Sequence, residues 1–217
     1  RSPTVTGVQT CALPILKEAS FWDQVAGVYD LFARFLNQKV HKELRYIIEK
    51  RITGTDEVLE CACGTGMLSE VIAPKCKHII ATDISKNMLK RAANKCVAYD
   101  NAEFREGNVE SIIFPDHCFD KVVAANVIHL LDNPLKALNE LYRVCRPGGQ
   151  IIIPTYINKQ SNKVSCFAKL AGKAGAGFRQ QFTFDTYQTF FQEASYKNME
   201  YMFIQGRIPC AVAIINK

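Results

Sequence analysis

Val58-Leu59-Glu60-Cys61-Ala62-Cys63-Gly64-Thr65-Gly66-Met67-Leu68-Ser69 is the stretch whose reading decides the fold. An apolar strand ends in an acid, bends through Gly64 and Gly66, and enters a helix. Glycines at such a bend let the backbone approach a ligand closely, and the first N–H groups of the new helix are open to an anion. Taken alone the pattern has two readings, a tight strand-to-helix turn or a nucleotide-like site. The next strand separates them. His78-Ile79-Ile80-Ala81-Thr82-Asp83 ends in an acid seventeen residues after Gly66, where doubly wound folds place the acceptor of a ribose diol. Asp83 is not needed to cap the helix that starts near Lys86, because Ser85 can do that. The two features together point to an adenosine-bearing cofactor.

The choice of cofactor turns on what the bend lacks. A diphosphate dinucleotide site needs Gly-x-Gly-x-x-Gly, yet the third position is Ser69 and an acid, Glu60, precedes the bend. A carboxylate beside two phosphate charges repels them, whereas a cation gains from it. S-adenosylmethionine, positive at its ammonium and its sulfonium, fits that pattern.

Outward from the bend, the chain alternates short apolar strands with amphipathic helices. Strands are predicted at Glu57–Cys61, His78–Thr82, Ala102–Arg105, Lys121–Ala125, Gln150–Thr155, Glu200–Ile204 and Ala211–Ile215. Helices are predicted near Met67–Ala73, Lys86–Cys96, Pro134–Cys145 and Phe184–Glu193. That rhythm means a parallel sheet covered on both faces. Pro147-Gly148-Gly149 reads as a turn between helix and strand. Ahead of the first strand, Phe21, Trp22, Val25, Val28 and Tyr29, then Val40, Leu44, Ile47 and Ile48, recur at helical spacing, and Gly54 ends the second helix. Residues 16–54 are therefore expected to form an N-terminal helical lid on a single domain, 16–217. Val5 to Ile15 reads as the translation of a sequencing-library adapter, so residues 1–15 are set aside.

Composition bounds the rest. With 48% apolar and 22% charged residues, 12 Gly and 8 Pro, the chain is neither disordered, collagen-like nor a coiled coil. No apolar run approaches the roughly 20 residues that span a bilayer. The net charge of +6, from 27 Lys and Arg against 21 Asp and Glu, is spread along the chain, so nucleic acid is not an expected partner. Nine cysteines without a secretory signal imply reduced thiols and a cytoplasmic protein. Cys61 and Cys63 share a strand face, and Cys76 precedes His78, but no further pair completes a four-coordinate zinc site, so no metal is expected. Tyr46-Ile47-Ile48-Glu49-Lys50 imitates the Tyr-x-x-x-Lys pair of short-chain dehydrogenases; it precedes the glycine bend instead of following it, which argues against an NAD-dependent oxidoreductase.

The ordered motifs resemble those of the class I S-adenosylmethionine-dependent methyltransferases, especially the small-molecule branch of ubiquinone and menaquinone biosynthesis. Glu60-Cys61-Ala62-Cys63-Gly64-Thr65-Gly66 is similar to the first motif, with Ala62 at its first glycine, a departure tolerable for so small a residue. Ala81-Thr82-Asp83-Ile84-Ser85 with Met88-Leu89 is similar to the second. Gly107-Asn108-Val109 stands where the family has Gly-Asp-Ala, and Phe119-Asp120 through Asn126-Val127-Ile128-His129 resembles the fourth strand and its exit. Arg143 to Gly149 resembles the approach to strand five. The resemblance implies a Rossmann-like seven-stranded mixed sheet in the order 3-2-1-4-5-7-6, last strand antiparallel, helices on both faces. It implies methyl transfer from S-adenosylmethionine to a small-molecule acceptor by in-line displacement, with a non-catalytic cofactor-binding regulator as the other reading.

Cofactor-binding residues implied are Tyr29 over the methionine end, the loop Glu60, Cys61, Ala62, Gly64 and Gly66, and Asp83 on the ribose. Ile84 and Met88 lie by the adenine, with the Asn108 carbonyl accepting its amine; Val109 is a further cofactor-binding residue, and Asn126 borders the methyl group. His129 is the candidate general base, with loop packing or pairing to Asp132 as its plainer role. The basic stretch within residues 156–182 reads either as an acceptor-site cap or as a solvated helix.

Overall fold

The computed structural model describes residues 19–24, 26–27, 37–158 and 180–217. Tyr29, residues 1–15 and most of the 156–182 stretch lie outside the described residues, as does much of the expected lid. Seven strands, β1 (Glu57–Cys61), β2 (His78–Asp83), β3 (Ala102–Glu106), β4 (Phe119–Ala124), β5 (Cys145–Tyr156), β6 (Met199–Ile204) and β7 (Cys210–Asn216), form one sheet. Its order is β3-β2-β1-β4-β5-β7-β6. β1 to β5 run parallel, and β7 is antiparallel to both β5 and β6. Residues 19–24 and 26–27 are helical, and after them the described residues form helices α1 (Gln38–Glu49), α2 (Ser69–Ile72), α3 (Lys86–Lys95), α4 (Pro134–Val144) and α5 (Phe184–Glu193). Among the described residues no helix is long and apolar enough to cross a membrane.

The strands are apolar at consecutive positions because each face of the sheet has its own core. Leu59, Val122, Ile151, Ile153, Ala211 and Ala213 bury against Leu138 and Leu141 of α4 and Tyr187 and Phe191 of α5. The alternate residues Val58, Ile79, Val123, Ile152, Val212 and Ile214 bury against Val40, Leu44 and Ile48 of α1 and Ile72 of α2. Fully burying one such side chain stabilises by roughly 1.5–3 kcal/mol, so both layers are held by the apolar effect and neither face is wet.

Two expectations change. Pro147-Gly148-Gly149 is no turn: α4 passes straight into β5, and the three residues form an irregularity inside that strand. Gly148 N–H donates to Lys217 O at 2.9 Å, and Lys217 N–H donates to Gly149 O at 3.0 Å, so the C-terminal end of β7 claims these backbone groups for the sheet. Arg146 anchors the same region, donating to both carboxylate oxygens of Asp120 at 2.8 Å, while Asp120 also accepts from Glu57 N–H at 2.8 Å. The helix after the glycine bend is also shorter than Met67–Ala73, since residues 64–68 are turn. Ser85 caps α3, accepting from Met88 N–H at 3.1 Å, which leaves Asp83 free of that duty.

Candidate active site

β1 sits between β2 and β4, with Glu60 level with Ala81 on one side and Val123 on the other. The chain after β1 then takes three left-handed steps, Ala62 at φ 53°, Gly64 at φ 55° and Gly66 at φ 80°. The two glycines do different work. A Cβ on Gly64 would meet nothing within 4 Å, whereas one on Gly66 would lie 2.8 Å from Ala92 Cα and 2.9 Å from Ala92 Cβ. Gly66 thus lets α3 pack against the bend, and Gly64 presents bare backbone to open space. Alanine in place of the motif's glycine at Ala62 carries a conformational cost as well as a larger side chain: left-handed φ costs a residue with a Cβ about 1–2 kcal/mol.

Two buried carboxyl groups flank this bend. Glu60, 2% exposed, accepts a 2.6 Å hydrogen bond from Ser69 Oγ. Burial pushes its pKa up to about 8, with Asp83 adding to the rise and Ser69 opposing it. At neutral pH and with no cation beside it the group is therefore mostly protonated, which revises the reading of Glu60 as a standing negative charge. Its preference is one of linkage: a cation placed against it recovers the ionised form. Asp83 accepts from Gly64 N–H at 2.8 Å and Ser85 N–H at 2.9 Å. Burial raises its pKa, and the backbone donors of Ser85, Gly64 and Ile84 hold it back. Gly64 N–H is spent inward on Asp83. The two Asp83 oxygens together keep acceptor capacity for a further donor beyond these backbone groups.

Both groups open into a cavity of about 1250 Å³ at the carboxyl ends of the strands. Among the expected residues, Glu60, Ala62, Gly64, Asp83, Ile84, Met88, Asn108, Val109 and Asn126 line it. Cys61 and Gly66 do not: Cys61 is packed among the core residues around Leu59, and Gly66 faces Ala92. Asn108 Oδ1 already accepts from Glu110 N–H at 2.9 Å, leaving one lone pair for an adenine amine. Asn126, at φ 54°, spends its side chain on Tyr156 N–H (3.0 Å) and its own N–H on Pro154 O (2.7 Å). Its side-chain oxygen is thus committed to β5 while the residue lines the cavity.

His129 is displaced from the wall. A short 3-10 turn, Ile128–Leu130, carries Leu130 to the cavity and tucks His129 behind it, 4% exposed, with burial driving its pKa down to about 4. A ring that neither lines the cavity nor titrates near neutrality is poorly placed to meet an acceptor. The cysteines of the bend are also inert as nucleophiles: burial pushes Cys61 up to about 12 and Cys63 well above its ordinary value. Among the described residues no group of three or more His, Cys, Asp or Glu is placed to hold a metal ion.

The sequence did not single out His41 or Tyr156 as site residues. His41 lies on the buried face of α1 with Leu44 and Ile48, and Tyr156 is the last residue of β5. Both line the cavity, and His41 Nε2 lies 2.5 Å from Tyr156 Oη. A polar residue in an apolar helical stripe was the available signal.

Residues 59–153 match the family described as a methyltransferase domain. The matched stretch resembles a methyltransferase domain, and it holds the glycine bend and both buried acids. It is 33% identical over 155 residues to the ubiquinone/menaquinone biosynthesis C-methyltransferase UbiE of Hahella chejuensis, covering 67% of this chain and 61% of that protein. The chain thus spans about three-fifths of the length of that curated relative. In fold it is similar to an S-adenosylmethionine-dependent methyltransferase from Aquifex aeolicus, with a TM-score of 0.65, 20% identity and coverage of 89% of this chain and 97% of that one. It is also similar to the [4+2]-cyclase SpnF, at 0.69, 18% identity and coverage of 85% and 73%. Since the same architecture carries a cyclase, the fold alone does not dictate the reaction.

S-adenosylmethionine is the cofactor that family and fold imply, and the residues present fit it. The cradle at Gly64 is one that a Cβ would fill, a buried acid on each side offers a place for an ammonium and for a diol, and Ile84, Met88 and Val109 supply an apolar slot.

Proposed function

We propose that the methyltransferase domain transfers a methyl group from S-adenosylmethionine, by in-line displacement, to a ring carbon of a small hydroquinone-type acceptor. One observation carries the reading. Two buried carboxyl groups, Glu60 and Asp83, flank a left-handed glycine bend within a single cavity. Glu60 holds the ammonium, and the Asp83 carboxyl takes the ribose hydroxyls. Ile84, Met88 and Val109 enclose the adenine, and Asn108 Oδ1 accepts its amine. The Asn126 backbone borders the transferred group. When bound, the cofactor supplies a methyl already activated by a positive sulfur that leaves as a neutral thioether. The chain therefore has no leaving group to protonate, and its work is alignment and exclusion of water. Two relatives support the acceptor class, the ubiquinone/menaquinone biosynthesis C-methyltransferase of Hahella chejuensis and a demethylmenaquinone methyltransferase of Listeria monocytogenes.

Isothermal titration tests the reading. S-adenosylmethionine and S-adenosylhomocysteine are expected to bind and NAD to be inert; NAD binding without them would reverse the assignment. Asp83→Ala is expected to weaken cofactor affinity by about 1–3 kcal/mol, the scale of hydrogen bonds to a charged group. Unchanged affinity would remove Asp83 from the ribose.

A further inference from the structure

The methyl-transfer reading leaves the acceptor's proton without a destination, and it leaves the polar pair at the far wall of the cavity without a task. We propose that Tyr156, backed by His41, is the base that takes the ring-hydroxyl proton of the acceptor; the inference rests on that methyl-transfer reading. Both residues lie outside the 59–153 stretch that matches the methyltransferase family.

Position argues first. Tyr156 ends β5, and its N–H donates to Asn126 Oδ1 at 3.0 Å while Asn126 N–H donates to Pro154 O at 2.7 Å. These two bonds lock the exit of β4, where the transferred methyl is placed, to the base of the tyrosine. Tyr156 and Asn126 share the cavity wall. His41 comes from the opposite side, on the buried face of α1, and is itself only 8% exposed. Its Nε2 meets the phenol oxygen at 2.5 Å, with the two rings tilted by 34°. An imidazole needed only to pack α1 onto the sheet would not have to face a cavity.

Electrostatics agrees with position. Burial, and then Arg45, lowers the pKa of His41, so at neutral pH the ring is uncharged and one nitrogen carries a lone pair. With the proton on Nδ1, Nε2 accepts from the Tyr156 hydroxyl. Of the charged residues that line the cavity, those on the helix carrying His41 are Lys39, Lys42, Arg45 and Glu49, with Arg45 paired to Glu70 at 3.3 Å. The three cations favour an ionised acceptor oxygen on that side of the cavity.

The step balances as follows. The acceptor O–H bond breaks and its proton passes to Tyr156 Oη as the tyrosine's own proton passes to His41 Nε2. The electron pair left on the acceptor oxygen makes the adjacent ring carbon nucleophilic. That carbon takes the methyl, with the bonding pair left on sulfur. The ring hydrogen at that carbon then leaves as a proton, one proton returns to the ring oxygen, and the proton held by His41 goes to water. One proton is released per methyl transferred. Tyr156 is the catalytic residue in this scheme, and His41 positions it and relieves it of its proton.

The test reads proton transfer without requiring turnover. 4-Nitrocatechol, a phenol whose ionised form absorbs at longer wavelength, is titrated into protein saturated with S-adenosylhomocysteine. The bound phenol is expected to ionise at a pH about one unit lower in the native protein than in Tyr156→Phe, with His41→Asn between them. Equal ionisation in all three proteins, or no binding to the native one, overturns the proposal. In parallel, with a reduced short-chain demethylmenaquinone as acceptor, Tyr156→Phe is expected to lower kcat by about 10²–10⁴-fold while the KM for S-adenosylmethionine stays within about twofold of native. Ionisation without turnover would retain the base and reject the acceptor class. Turnover with no ionisation difference would retain methyl transfer and reject the base.

Discussion

Gly64 and Gly66 stand two residues apart in one motif, yet replacing each by alanine should fail in a different way. Both have left-handed backbone, φ 55° and 80°, so a Cβ at either costs about 1–2 kcal/mol. Restricting the unfolded chain returns about 0.4–1 kcal/mol of that. At Gly64 nothing further is owed, because the new carbon meets no atom within 4 Å, and Gly64→Ala should destabilise by about 1 kcal/mol. At Gly66 the new carbon would stand 2.8 Å from the Cα of Ala92, a backbone atom of α3. Overpacking of that kind adds roughly 1–3 kcal/mol, for a total of about 2–4 kcal/mol. In a domain of this size 1 kcal/mol moves Tm by roughly 2–4 °C, so calorimetry should find Gly64→Ala a few degrees below native and Gly66→Ala roughly 5–15 °C below. Cofactor titration should give the reverse ranking of purpose: Gly64→Ala, though well folded, should lose at least about tenfold, or ~1.4 kcal/mol, in affinity for S-adenosylmethionine. Equal Tm values for the two variants would mean that α3 does not press on the bend. Native affinity in Gly64→Ala would mean that the open face of the bend is not the cradle.

Two buried titratable groups predict opposing pH dependences. Glu60, raised from 4.5 to about 8, contributes stability that is whole below pH 4.5 and is lost as pH rises through about 8. Glu60→Gln should therefore gain on native as pH goes from 5 to 8, by on the order of 3 kcal/mol, and parallel melting curves for the two proteins would contradict it. His129, lowered from 6.5 to about 4 by burial, contributes stability present above 6.5 that is lost as pH falls towards 4. His129→Gln should thus lose less than native between pH 6.5 and 4, again by on the order of 3 kcal/mol; an unchanged acid limb would show that the ring is not desolvated. Between pH 4.5 and 6.5 the two slopes oppose one another, so the single variants, and not native melts alone, expose either group.

What the sequence made legible follows from where parallel strands end. β2, β1 and β4 are neighbours, and their carboxyl ends open on one edge of the sheet. Any residue one or two places beyond such a strand is thereby delivered to the cavity, whatever its side chain. Ala62, Ile84 and Asn126 could be placed by that rule from strand endings alone, as could the acids that close β1 and β2. Residues whose position depends on rotation about a local axis could not. His129 follows β4 by five residues, and a single 3-10 turn decides that Leu130 faces the cavity while His129 is tucked behind. Environment was equally hidden: Glu60 reads as a carboxylate in the chain, and only burial beside Asp83 makes it an acid that holds its proton near neutrality. His41 and Tyr156, 115 positions apart, combine both difficulties, since one sits on a helix before the sheet begins and the other ends a strand at its middle. Local periodicity marks the apolar stripe of α1 and is silent on why an imidazole interrupts it. The answer lies across the cavity, in a phenol that the parallel order of β4 and β5 brings to the edge where Asn126 turns out of the sheet. The same strand order that brings Glu60 and Asp83 to the cavity therefore also sets the tyrosine at its edge beside Asn126.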